Sequence, residues 1–101
     1  MPEVTGIDHI YVSVTDMARS GAFYDKAMGV LGFRKNAFTL GGDPHVQYFN
    51  RHFGFVLRPA RATSSHDPYR AGLHHLCLRV ETIEDVIEAS AALQAKGIDA
   101  S

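Results

Sequence analysis

Apolar and polar residues alternate one for one at the start of the chain. Ile10, Val12 and Val14 fall on one side, and His9, Tyr11 and Ser13 on the other. A period of two is the signature of a strand with one greasy and one polar face. Thr15-Asp16 then offers a helix N-cap, and the period changes. Met17, Ser20, Phe23-Tyr24, Ala27-Met28 and Leu31 recur at helical spacing, which predicts an amphipathic helix over 17–31 with its stop at Gly32. Beyond it, 33–40 reads as a strand, Gly41-Gly42-Asp43-Pro44 as a turn, 45–50 as a strand, Arg51-His52 as a tight connection and 53–58 as a further strand. The predicted order is β-α-β-β-β.

The opening pattern returns at a constant offset. Gly72, His75 and Val80 repeat Gly6, His9 and Val14, and Leu76, Leu78 and Val80 again alternate with His75, Cys77 and Arg79. A fixed-offset repeat marks a duplicated structural unit. A second strand is therefore expected over 71–80. A helix follows from Thr82, with Glu84 and Asp85 in its first turn, Ile83, Val86, Ile87 and Leu93 on its apolar face and Gly97 at its end. Residues 98–101 read as the opening of another strand. The predicted organisation is a first module over 1–58, a polar, proline-containing linker over 59–70, and the β-α start of a second module over 71–101. The expectation is that the chain is part of a longer protein, or that a partner chain completes its sheet, because an open apolar edge invites pairing. Two equivalent strands would aim His9 and His75 at one shared point.

Composition narrows the function. At 101 residues, 46% of them apolar, the chain is at most one ordinary domain with enough material for a core. Ten basic and eleven acidic residues give a net charge of −1 and no basic stripe, which argues against nucleic acid. No apolar run is long enough to span a membrane. The first residues lack the charged and apolar regions of a signal peptide, and one cysteine, Cys77, suits a reducing compartment, so the expected location is cytoplasmic.

The residues 6–17, with Phe23-Tyr24, Leu31-Gly32-Phe33 and the second copy over 72–80, resemble the vicinal oxygen chelate superfamily, which includes glyoxalase I, bleomycin- and fosfomycin-resistance proteins and extradiol dioxygenases. The resemblance implies an α+β fold. Paired βαβββ modules form a curved mixed sheet, a cup with helices on the outside, and the second module is incomplete in this chain. It also implies a divalent metal (Fe, Mn, Zn or Ni) held by His9 and His75, with a carboxylate ligand expected past Ser101. Where glyoxalase I-like members carry a glutamate in the last strand of the first module, this chain has Val56, which cannot bind a metal. The implied chemistry is that of a divalent-metal-dependent lyase, dioxygenase or thiol transferase acting on a small oxygen-chelating substrate. The alternative is a metal-free protein that sequesters a ligand, as bleomycin-resistance proteins do. A third possibility is a half-module whose role is assembly. A homodimer, with modules exchanged between chains, is the expected assembly.

Within that frame Tyr11, Ser13, Cys77 and Arg79 share strand faces with the histidines and would line the cup. Tyr11, Ser13, Gln47 and Arg79 are the candidate substrate contacts, Arg79 for its planar fork. Gln47 and Arg58 depend on strand register. Tyr48, Phe49, Phe53 and Tyr69 are candidate aromatic walls. His74 is expected on the opposite face from His75, and His45, His52 and His66 in solvated loops or strand ends. Phe23, Tyr24, Met28 and Leu31 are expected in the core. Cys77 lacks a free general base beside it and is not expected to act as a nucleophile.

Overall fold

The computed structural model describes residues 1–62 and 64–99. The chain forms β1 (His9–Val14), α1 (Met17–Val30), β2 (Arg34–Leu40), β3 (Asp43–Phe49), β4 (Gly54–Pro59) and α2 (Ile83–Ala95). The four strands make one mixed sheet in the order β1-β4-β3-β2, with β1 parallel to β4 and the other pairs antiparallel. This is an α+β fold in which the β-α-β-β-β order read from the sequence is realised once.

Each boundary has a local cause. The Asp16 carboxylate accepts from the Arg19 backbone N–H at 3.0 Å and caps α1. Gly32 follows the helix with a φ of 84°, a left-handed turn that a side chain would strain. Gly41 and Gly42, at φ 61° and 82°, join β2 to β3 in a two-residue hairpin closed by Leu40 and Asp43. Two positive φ values in succession are what a tight hairpin matching the strand twist requires. The predicted turn therefore shrinks to its two glycines, and Asp43 and Pro44 join the strand. Pro44 is tolerated because the β3–β4 ladder begins only at Val46↔Leu57, so no neighbour asks for its missing N–H. After β3, Asn50 Oδ1 accepts from the backbone N–H groups of both His52 and Phe53, at 2.8 and 3.1 Å, which fixes the tight connection.

α1 covers one face of the sheet. Met28, Tyr48, Phe55 and Leu57 are buried there, with Ile10, Val12, Val14, Met17, Tyr24, Leu31, Phe33, Val46 and Phe53 packed around them. Tyr48 belongs to this core rather than to a cup wall. Register puts it beside Phe55 on the helix side. Its hydroxyl donates to Asp25 Oδ1 at 2.7 Å, and Lys35 Nζ donates to Asp25 Oδ2 at 3.0 Å. Helix, β3 and β2 are thereby tied at one carboxylate. Phe23, expected in the core, is half exposed; it lies one helical step past the buried stripe, with its ring T-shaped to Tyr24 at a centroid distance of 5.1 Å.

The second copy of the opening pattern does not form a strand. Residues 73–80 are exposed and in no ladder with any described residue. Strand geometry requires a neighbour to receive its backbone groups. β1 has β4 for this purpose, and no described residue plays that part for 73–80. The helix after it forms as read, with the Thr82 hydroxyl accepting from the Asp85 N–H at 3.1 Å and Gly97 turning left-handed behind it. Its predicted apolar face stays open at Ile83, Val86 and Ile87, and among the described residues α2 leans on α1. Ile98 and Asp99 are not in a strand, and the rest of that expected strand, with Thr63 of the linker, lies outside the described residues.

Two outcomes test this packing. The Asp25 carboxyl is held below the usual carboxylate range, first by the Tyr48 hydroxyl and then, against the effect of burial, by Lys35. A carboxylate depressed in the folded state stabilises the fold fully above its unfolded value, about 4, and loses that contribution as pH falls through the folded value. Tyr48→Phe should therefore cost about 1 kcal/mol at pH 7 by denaturant unfolding, with the gap to wild type closing below about pH 4. In the hairpin, Gly42→Ala should cost about 1 kcal/mol in the same assay, whereas Gly41→Asn should be close to neutral.

Candidate functional site

The face of the sheet away from α1 carries the polar halves of the alternating patterns. His9, Tyr11 and Ser13 of β1 lie beside Gly54, Val56 and Arg58 of β4. Gly54 and Val56 lie beside Phe49 and Gln47 of β3, which in turn face Arg34 and Asn36 of β2. Gln47 and Arg58 thus both fall on the face that register left open. Val56, the residue standing where a glutamate ligand is expected, sits in the middle of it and is buried.

An open cavity of about 680 Å³ lies on this face. His9, Tyr11, Asn36 and Gln47 offer it polar atoms, and Phe38, Phe49, Phe53 and Val56 apolar walls. The size and the mix of apolar walls with a few polar points suit a small organic molecule. Gly54 makes the room. A Cβ there would stand 3.3 Å from Gln47 Nε2 and 3.6 Å from His9 Cβ. The sequence held one signal for it, a glycine inside a strand pattern, which marks close approach.

His9 donates from Nδ1 to Asp8 Oδ2 at 2.8 Å and meets the Tyr11 ring at a centroid distance of 5.6 Å. With its proton on Nδ1, the ring presents Nε2 as the free acceptor. Beyond Tyr11, again at 5.6 Å, lies His45, stacked on Phe38 at 5.0 Å. His45 is no solvated loop residue. Because β3 begins two residues earlier than the pattern suggested, it stands within the strand on the cup side, 1% exposed. At this end of the sheet Asp43 Oδ2 accepts from Arg58 Nη2 at 2.6 Å and from Arg61 Nη2 at 2.9 Å. Arg61 and then Arg58 hold the Asp43 carboxyl below its ordinary value.

The remaining candidates are dispersed. His75 lies with its Nδ1 2.8 Å from that of His74 and lines a different cavity, with Ile10, Val12, His66 and His74. Ser13 borders that second cavity. Cys77 and Arg79 line a third with Ile7, Phe33 and Leu76. Tyr69, His52 and His66 are exposed, and of these only His52 reaches the cup. His9 thus has the one-sided tautomer a metal ligand needs. Among the described residues, however, no group of three or more His, Cys, Asp or Glu could hold a metal ion. The described residues do not by themselves bring together the donor set of a metal centre. Among those residues, too, no helix is long and apolar enough to cross a membrane.

Comparison with known proteins points one way. No curated protein matches the chain. Among solved structures it is similar to a glyoxylase/bleomycin resistance protein/dioxygenase domain from Frankia sp. EAN1pec, at 21% identity and a TM-score of 0.71, covering 94% of this chain and 76% of that one. It is also similar to an integron cassette protein from the mobile metagenome of V. cholerae, at 19% identity and a TM-score of 0.61, covering 96% of this chain and 71% of that one. At these identities the likeness shows a shared fold. The model of the Glyoxalase/Bleomycin resistance protein/Dioxygenase superfamily matches residues 6–100. With the βαβββ sheet and its open polar face, that match decides the family: the chain belongs to the glyoxalase/bleomycin resistance protein/dioxygenase superfamily.

Proposed function

We propose that this chain binds a small organic molecule on the open face of its sheet, in the cup bounded by His9, Tyr11, Gln47 and the aromatic side chains beside them. One observation carries the reading: the cavity of about 680 Å³ lies over strand residues, floored by Val56 and widened by the missing Cβ of Gly54. Residues on strands are held more rigidly than residues on loops, so their polar atoms are preorganised. His9 and Gln47 would orient the ligand by hydrogen bonds. Tyr11, Phe38 and Phe49 would take its flat faces. Ser13 and Arg79, which border other cavities of the chain, join the cup only if a second module or a second chain closes over it.

The tautomer of His9 favours a second reading. A divalent metal (Fe, Mn, Zn or Ni) would be held by His9 of one chain and His75 of another, in a homodimer with exchanged modules. This assembly would bring together the two histidines that lie apart within one chain, with a carboxylate still needed to complete the set. Such a metal would polarise the oxygens of a chelating substrate. Lyase, dioxygenase and thiol-transferase chemistry all belong to this reading, whereas the sequestering role needs only the cup.

Two experiments separate the readings. In a titration with phenol and benzoate followed by 1H–15N spectra, residues 9, 11, 47, 49 and 56 should shift and the α1 side of the sheet should not. Gly54→Ala should weaken that binding several-fold with unfolding stability nearly unchanged, since its Cβ meets the mobile end of Gln47; equal affinity would place the ligand elsewhere. Elemental analysis addresses the metal. The two-chain reading expects near-stoichiometric metal in the dimer, loss in both His9→Ala and His75→Ala, and partial recovery when the two variants are mixed. Metal-free protein after reconstitution leaves the sequestering cup alone standing.

A further inference from the structure

His45 is the most buried polar side chain in the structure, and its Nε2 has no hydrogen-bond partner. Its other ring nitrogen is committed: Nδ1 lies 3.0 Å from the carbonyl oxygen of Asp43. A carbonyl only accepts, so Nδ1 carries the proton, and in the neutral ring Nε2 is a bare lone pair. The residue that fixes this tautomer is itself clamped, since the Asp43 side chain is gripped by Arg58 and Arg61. A buried acceptor left without a donor is costly and calls for an explanation.

The surroundings point to one. His45 lies on the cup side of β3, opposite Phe38 in register. Its two ring neighbours, the stacked Phe38 and the edge-on Tyr11, both line the cup. His45 is therefore one side chain behind the cavity lining. Tyr11, whose ring meets it edge to face, is 44% exposed. We infer that His45 is a specificity-determining residue of the cup, whose Nε2 accepts a hydrogen bond from a hydroxyl or amine of an aromatic ligand that displaces Tyr11. The inference rests on the reading of the cup as a ligand site and narrows it. A ligand that brings a donor satisfies the lone pair directly, which one without a donor cannot do. A group with a single acceptor and no donor gains nothing there.

Phenol and anisole test it, since they share a ring and differ in the donor. A long-range 1H–15N spectrum of the full chain first separates a protonated ring nitrogen from a bare one. The expected result is a bare Nε2 at His45 in the free protein. Phenol should then shift that nitrogen and bind roughly tenfold more tightly than anisole. His45→Phe, which keeps a flat ring against Phe38, should erase the preference while retaining anisole. His45→Gln, which keeps an acceptor, should restore part of it; circular dichroism establishes that both variants fold. A proton on Nε2 in the free protein overturns the inference outright. Shifts at Tyr11 and Gln47 with equal affinity for the two probes overturn it while leaving the cup in place. No shift at Tyr11 or Gln47 with either probe removes the cup and the inference together.

Discussion

A strand lasts only where another strand takes its hydrogen bonds, and in this molecule β4 is the strand that joins β1 to the β2–β3 hairpin. It lies inside the sheet, parallel to β1 on one side and antiparallel to β3 on the other. Its side chains go both ways. Phe55 and Leu57 turn to α1 and are buried in the core, while Gly54 and Val56 turn to the cup. The parallel contact is the demanding one. β1 is followed by α1, β2 and β3 before β4 returns to it, and that long crossover forces the helix onto one face. Core and cup are thus two sides of the same six-residue segment, and neither exists without the β1–β4 ladder.

The two faces solve different problems. On the α1 side apolar area leaves water, and the polar atoms that enter are neutralised as they arrive, as at the carboxylate shared by Tyr48 and Lys35. On the cup side polar side chains remain available. His9, Gln47 and Tyr11 are held in place by backbone pairing, which leaves their functional atoms free for other partners. Val56 interrupts this face with a buried apolar floor. In the reading proposed above, that floor favours a surface for an organic molecule over a four-ligand metal centre.

Much of this was legible from residue alternation. The strand period of 9–14, the helical step after Asp16 and the cap of Thr82 all follow from local chemistry, and local chemistry is visible in sequence. The histidine repeat was visible as well, but its structural meaning was not. His9 and His75 occupy equivalent positions in two copies of one pattern, yet only the first copy has a neighbour to pair with. Pairing is a long-range property that no window over 72–80 contains. A two-residue hairpin rather than a four-residue turn lengthens β3 backwards, and burial of His45 then follows from what stands across the register at Phe38. Tyr48 falls on the helix side because register sets it beside Phe55. Phe23 shows the limit of helical spacing, since the period identifies a stripe but not its width.

The central position of β4 gives the chain two very different lifetimes. Amides at 55–57 are locked between two ladders beneath a helix. They exchange with solvent only when the whole sheet opens, on the slow scale of global unfolding. Amides at 73–80 are in no ladder with any described residue, and local opening exposes them far more readily. Two segments of one chain therefore stand at opposite ends of the molecule's dynamic range, set apart by the pairing each has.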